Sequence, residues 1–296
     1  MHGIVPSLNT PFAADGSLDL PSLRSLVEHT VQAGCGGMLG LAVAGEHATL
    51  SPVEKARFVE TAAETNVGRI PFIVSVTAAN TADSIALARM AHGAGATGLC
   101  VQLPDGFDRA RATGFLHDLS PFSRDLLMVQ DLDWTGSGLA LDDIVHLFEC
   151  VAPFSWLKIE TPQAGPKYTA VKQATGGALN VCGGWAVAQL MDALARGVNA
   201  FIPTGMERVY VAIHRAYLGG DITTARRLFE RLLPVLNFSN QHIDISIRFF
   251  KQLRHAEGLF ATDTCRIAGN GFDSFQQSEA DHAISTAQNL LDALPR

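Results

Sequence analysis

The sequence predicts an α/β fold: a (β/α)8 TIM barrel with a C-terminal helical extension. Three observations predict it. Eight short apolar runs recur along the chain, separated by longer helical patterns. Most of these runs show little polar alternation, as expected of parallel strands covered on both faces. The eight units fill about 200 residues, the scale of a barrel of eight parallel strands. A doubly wound sheet is the competing architecture, but no G-x-G-x-x-G follows the first run.

The strand runs are Gly3–Leu8, Gly36–Leu41, Pro71–Val76, Thr97–Gln102, Leu126–Gln130, Ser155–Ile159, Leu179–Cys182 and Ala200–Pro203. Between them, Ser51-Pro52-Val53-Glu54 forms a capping box with proline at the first helical position. The helix it opens carries Phe58, Val59 and Ala62 on one side. Ala82–His92 and Asp142–Phe148 behave similarly, and Trp185–Arg196 follows the glycine pair Gly183-Gly184. After Met206 the strand signals stop. Glu207–Leu218, Ile222–Leu233, Gln241–Glu257 and Ser278–Leu294 read as helices. The expected division is a barrel over residues 1–220, which carries the active site, and a helical region over 221–296 packed on it.

With 47% hydrophobic residues, the 296-residue chain can fill a large core. The net charge of −7 and the scattered arginines argue against a nucleic-acid or membrane-surface partner. Cys35, Cys100, Cys150, Cys182 and Cys265 are odd in number and far apart, with no C-x-x-C. That fits a reducing compartment and neither a disulfide framework nor a zinc ribbon. Met1–Val5 enters a strand-like run without a charged n-region. No apolar stretch approaches the ~20 residues of a membrane span. The expectation is a soluble cytoplasmic protein.

Only five lysines occur: Lys55, Lys158, Lys167, Lys172 and Lys251. Lys158 alone lies in a run that reads as a buried strand. An ammonium group is costly to desolvate, and burial favours the neutral amine. A neutral amine attacks carbonyl carbons to form Schiff bases. The plainer reading is a strand-end lysine paired with an acid. Glu160 is two residues on and shares its face if the strand continues that far.

In a barrel of this kind the chemistry sits at the C-terminal strand ends. Strand 1 ends near Asn9-Thr10-Pro11-Phe12, and strand 2 at Val43-Ala44-Gly45-Glu46-His47. Strand 5 runs into Gln130-Asp131-Leu132-Asp133-Trp134-Thr135-Gly136. Strand 6 carries Lys158, strand 7 ends at Gly183-Gly184, and strand 8 at Pro203-Thr204-Gly205. Taken together, Thr10-Pro11-Phe12, Gly45-Glu46, Thr135-Gly136, Lys158 and Gly183-Gly184 resemble the dihydrodipicolinate synthase / N-acetylneuraminate lyase family of class I barrel lyases. The resemblance implies Lys158 as the Schiff-base lysine for a 2-keto acid such as pyruvate. It also implies a homotetramer, with a homodimer as the smaller alternative, and no metal or cofactor.

Several positions depart from the family pattern. Two hydroxyl residues that precede Gly-Glu in the family are Val43 and Ala44 here. The family's strand-5 tyrosine falls at Val129, or at Gln130 with a one-residue shift. The chain's three tyrosines, Tyr168, Tyr210 and Tyr217, lie elsewhere. The arginine that synthase members carry before Thr-Gly is Trp134. Dihydrodipicolinate synthase activity itself is therefore not expected.

A Schiff-base enzyme must still move protons. Asp131 and Asp133 are the candidates to replace the tyrosine; their plainer role is capping a turn. Backbone N–H groups of Val43, Ala44 and Gly45 are candidates for the keto-acid carboxylate. Glu46 braces that loop, and His47 could titrate near neutral pH. Gly183 and Gly184 could offer backbone groups to substrate hydroxyls, with simple turn geometry as the alternative. Glu160 and Thr204 complete the substrate-binding candidates. Thr161–Lys167 reads as a rigid loop at the pocket rim.

The expected activity is an aldolase-type lyase acting on pyruvate and 4-hydroxy-2-keto acids. The alternatives are a dehydratase of 2-keto-3-deoxy sugar acids and a keto-acid-binding barrel that has lost turnover.

Overall fold

The computed structural model describes residues 1–184, 188–269 and 271–294. Its strands are β1 (Gly3–Ile4), β2 (Met38–Gly40), β3 (Phe72–Ser75), β4 (Gly98–Val101), β5 (Leu126–Leu132), β6 (Phe154–Glu160), β7 (Asn180–Gly183) and β8 (Ala200–Phe201). They form one sheet in the order β1-β8-β7-β6-β5-β4-β3-β2. The order ends on β1 and β2, and a parallel bridge between Ser7 and Leu39 joins these two runs. This is the closed sequential order of a (β/α)8 barrel with a C-terminal helical extension.

Two compact units make up the chain. One comprises Met1–His2 with Pro71–Ile202 and holds β3 to β8. Its helices are α3 (Thr81–Gly93), α4 (Arg109–Leu119), α5 (Leu141–Cys150), α6 (Ala164–Ala174) and α7 (Leu190–Ala195). Ile73, Val74, Leu99, Val101, Leu127, Val129, Leu157 and Val181 have no exposed surface. Burial on both faces of the sheet explains why these strands read as continuous apolar runs.

The second unit comprises Gly3–Ile70 with Pro203–Arg296. It holds β1 and β2 with α1 (Leu20–Gln32), α2 (Pro52–Asn66), α8 (Glu207–Leu218), α9 (Ile222–Ser239), α10 (Ile243–Ala256) and α11 (Ser274–Asp292). Ser51 and Glu54 cap α2 reciprocally, with Pro52 at its first position. A cap of this kind contributes about 1 kcal/mol. Inside the unit Arg254 bonds Glu207 with both terminal nitrogens, and neither side chain is more than 1% exposed.

The strand runs all form, with different lengths. β1 stops at Ile4, because Pro6 has no N–H to offer a ladder. β5 and β6 run further than expected, to Leu132 and Glu160. α1, α4 and α6 supply helices of the eight strand–helix units for which the sequence reading gave no bounds. The largest correction is at Thr161–Lys167, read from sequence as a loop: α6 begins at Ala164 and contains Gly165-Pro166-Lys167. Proline is tolerated there because N–H groups of the first helical turn have no intrahelical partner. Of the expected Trp185–Arg196 helix, Trp185, Ala186 and Val187 lie outside the described residues, and α7 covers Leu190–Ala195. Among the described residues no helix is long and apolar enough to cross a membrane. All five cysteines are free.

Candidate active site

β5, β6 and β7 bring one face of side chains together. Their register pairs Gln130 with Lys158 and Lys158 with Cys182. Paired residues on neighbouring parallel strands point the same way, and β4 adds Cys100 beside Met128. Lys158 therefore stands above a floor of sulfur atoms. Burial pushes the Cys100 thiol up to about 12 and Cys182 well above its usual range. Both remain uncharged thiols at neutral pH.

Lys158 is 5% exposed. Because β6 continues to Glu160, the two side chains share a face, and Nζ lies 3.0 Å from Glu160 Oε2. Gln130 Nε2 donates to the same carboxylate oxygen. Gly184 is the fourth member of this group. A Cβ there would overlap the Glu160 carboxylate, so only glycine lets Glu160 lie against Lys158. Burial pulls the Lys158 pKa down, but the Glu160 carboxylate outweighs it and holds the ammonium above its ordinary value. Burial alone would have favoured the neutral amine; the ion pair reverses the direction.

Asp131 follows Gln130 on β5 and projects to the opposite face. Lys167 Nζ lies 2.5 Å from its Oδ2, and the Leu139 N–H donates to Oδ1 at 2.7 Å. Burial raises the Asp131 pKa, and Lys167 and the Leu139 N–H act against that rise. Asp133 accepts the N–H groups of Thr135, Gly136 and Gly138 at 3.0, 2.8 and 3.1 Å. Those bonds lower its pKa, the Gly136 bond most. The structure thus brings Glu160 to Lys158 and engages both aspartates in closing the 133–139 loop. Lys167 seals that loop, reaching the Ser137 carbonyl at 2.5 Å.

In the second unit Val43–Gly45 forms a 3-10 turn after β2, with Val43 exposed and Gly45 buried. A Cβ on Gly45 would come within 2.8 Å of the Leu8 carbonyl. Thr10 donates to the Gly45 carbonyl at 2.5 Å, and Asn9 to that of Ala44 at 3.4 Å. Glu46 adopts left-handed backbone and is 3% exposed. Its carboxylate accepts the N–H groups of Arg266 and Ile267 at 2.7 and 2.9 Å and pairs with Lys251 at 2.7 Å. His47 is half-buried; burial, then Lys55, lowers its pKa, so it is neutral at pH 7. Thr204 is half-buried in the turn between β8 and α8.

Sequence reading passed over Gln130, Lys167 and Lys251. Gln130 stands in the sequence only as a residue in the tyrosine's place; its register opposite Lys158 exists only once β5 and β6 pair. Lys167 lay in a segment misread as loop. Lys251 meets Glu46 only through tertiary packing, and no local signal announces it.

The buried lysine and its carboxylate partner thus stand together near the C-terminal end of β6. The family model described as the dihydrodipicolinate synthetase family matches residues 1–116. The 4-hydroxy-tetrahydrodipicolinate synthase of Salinibacter ruber (strain DSM 13855 / M31) is 25% identical over 252 residues, 79% of each chain. The solved dihydrodipicolinate synthase of Rhodopseudomonas palustris superposes with a TM-score of 0.86 at 22% identity, covering 97% of both chains. The N-acetylneuraminate lyase of Mycoplasma synoviae (crystal form II) superposes at 0.82 with 18% identity, covering 97% of this chain and 98% of that one. Residues 1–116 are thus similar to the dihydrodipicolinate synthetase family, and the fold is that of the solved dihydrodipicolinate synthases and N-acetylneuraminate lyases.

Proposed function

We propose that the protein binds a 2-keto acid such as pyruvate as a Schiff base on Lys158 and makes or breaks the C3–C4 bond of a 4-hydroxy-2-keto acid. Glu160 carries the protons. The observation that supports this most is the Lys158–Glu160 pair, 3.0 Å apart and almost fully buried. A proton shared within a desolvated ion pair moves to the carboxylate at low cost, because the neutral pair needs less solvation. That transfer frees the amine as a nucleophile.

Lys158 Nζ passes a proton to Glu160 and attacks C2 of the keto acid. The nitrogen's surplus proton moves to the former carbonyl oxygen, giving a carbinolamine. Glu160 returns its proton as water leaves, producing a protonated imine and a carboxylate. That carboxylate takes the C4 hydroxyl proton. The C3–C4 electron pair flows to the imine nitrogen, and an aldehyde departs. Glu160 then protonates C3 of the enamine, and water releases pyruvate. One carboxylate serves every step, the work the family assigns to a tyrosine. Tyr168, Tyr210 and Tyr217 lie on α6 and α8, not on β5.

The reading excludes the synthase reaction itself, because Trp134 stands where the synthases carry arginine. A homotetramer or homodimer in the cytoplasm, free of metal and cofactor, belongs to this proposal by family likeness. It rests on the unit that contains Lys158; Val43, Ala44, Gly45, Glu46, His47 and Thr204 belong to the other unit.

Borohydride reduction in the presence of pyruvate tests it. An adduct mapped to Lys158, and absent from a folded Lys158→Ala variant, is expected. No adduct with pyruvate or a longer 2-keto acid overturns the proposal. With the adduct in hand, pyruvate plus an aldehyde as products supports the aldolase. A dehydrated acid instead replaces it with the dehydratase, and an adduct without turnover replaces it with a binding protein.

A further inference from the structure

Two donors converge on one oxygen of Glu160. Lys158 Nζ lies 3.0 Å from Oε2, and Gln130 Nε2 donates to the same atom. The two donors differ in what becomes of them. Lys158 is the reacting group: once its nitrogen bonds to C2 of a keto acid, it no longer holds the carboxylate as an ammonium does. Gln130 neither titrates nor reacts. Its amide offers the same bond before and after the imine forms.

Strand register fixes Gln130 in this place. It pairs with Lys158 across β5 and β6 and is 8% exposed. Its amide nitrogen faces Glu160, because its carbonyl oxygen would set one acceptor against another. Gly184 leaves the carboxylate space but has no side chain to hold it.

We propose that Gln130 is the positioning residue of this site: it keeps Glu160 in place during the steps in which Lys158 is bonded to substrate. The inference rests on the reading of Lys158 as the Schiff-base lysine and Glu160 as the proton carrier. Glu160 must then meet C3 of the enamine, and a proton moves only within hydrogen-bond reach. A misplacement of about 1 Å can cost a hundredfold in rate. In the resting enzyme the ammonium itself holds Oε2, so imine formation depends less on Gln130 than the later proton transfers do.

Gln130→Glu keeps the shape of the side chain and replaces the amide with a carboxylic acid. Protonated, that acid donates to Glu160 as the amide does; ionised, it repels it. The other titratable groups that bear on Glu160 among the described residues are Lys158, Cys100 on β4, Cys182 on β7 and Tyr168 on α6. Burial keeps both thiols and the phenol neutral at pH 7. A pH effect confined to Gln130→Glu therefore reports the introduced acid.

Pyruvate alone serves as the probe. Borohydride trapping mapped to Lys158 reads the imine. Exchange of the pyruvate methyl protons in heavy water, followed by NMR with Lys158→Ala as background, reads proton transfer at C3. Gln130→Leu is expected to trap pyruvate with a half-saturation close to wild type, while exchange falls about tenfold to a hundredfold. Gln130→Glu is expected to exchange well at low pH and to lose exchange, relative to wild type, as pH rises. In a Glu160→Gln background, Gln130→Leu is expected to have no further effect. Wild-type exchange in Q130L overturns the proposal, as do a Q130E profile parallel to wild type and an additive effect in the double variant. Folded Q130L that loses trapping as well as exchange also overturns it; where Q130L does not fold, the Q130E profile decides. Wild-type enzyme that traps no pyruvate is a different failure, which removes the Schiff-base reading and this role with it.

Discussion

Lys158 and Glu160 stand two residues apart on β6, on one face, with Nζ 3.0 Å from Oε2. Glu160 outweighs burial and holds the ammonium above its ordinary pKa. In Glu160→Gln burial, the largest cause, loses its main opponent, so the lysine pKa falls. Pyruvate trapping is expected to persist in this variant, with its pH midpoint moved to lower pH. Turnover is expected to fall by roughly 10²–10⁴-fold, the usual cost of removing a general acid–base group. A pH series of trapping and of steady-state rates checks both. Unchanged turnover would exclude Glu160 as the proton carrier.

Gly184 makes room for that carboxylate. In Gly184→Ala the new Cβ overlaps Glu160, which must move away from Lys158. A stability loss of about 1–3 kcal/mol is expected, as for overpacking elsewhere, together with a fall in kcat larger than any rise in KM. Denaturant unfolding and steady-state kinetics measure the two parts. A variant with wild-type kcat would show that the Glu160 position is not needed for turnover.

Lys251 and Glu46 form a buried pair in the second unit, 2.7 Å apart with no exposed side-chain surface. Lys251 also donates to the Thr264 carbonyl at 3.0 Å and sits 4.2 Å from the Phe12 ring centroid. Lys251→Met leaves Glu46 buried and charged, and a loss of about 3–5 kcal/mol is expected. Adding Glu46→Gln should recover part of it, because the stranded charge goes too. Urea midpoints of the single and double variants decide; strict additivity would mean the pair is not coupled.

Acid stability offers a check on Glu54. Arg266, 2.6 Å away, is the main cause that holds its carboxyl down at about 2. A depressed folded pKa stabilises above the unfolded value, and the gain is lost as pH falls through the folded one. The contribution is thus present above about pH 4.3 and gone near pH 2. Glu54→Gln is expected to be less stable than wild type at pH 6, with the difference shrinking toward pH 2. A constant difference across that range would mean the ion pair is not its source.

Much of this protein was legible in one dimension. The eight strand runs could be read because burial on both faces leaves a continuous apolar signature. The α2 cap could be read because its partners, Ser51 and Glu54, are three residues apart. Lys158 stood out because an ammonium in such a run is costly unless it has work or a partner. The α6 start at Ala164 was hidden, because glycine and proline signal a loop except in a first helical turn. The face of Asp131 was equally hidden, because side-chain direction depends on where β5 ends.

The sequence by itself determined the strand–helix alternation, the helical C-terminal part and the lysine on the sixth strand. Each is a periodic or local property, carried by neighbours a few residues apart. Tertiary structure alone decided that Gln130 joins Lys158 and Glu160 on one face, that Gly184 leaves them room, and that Asp131 is bound by Lys167. It also decided that Glu46 meets Lys251. Those relationships depend on strand register and on desolvated charges finding partners across the fold, and no spacing along the chain encodes them.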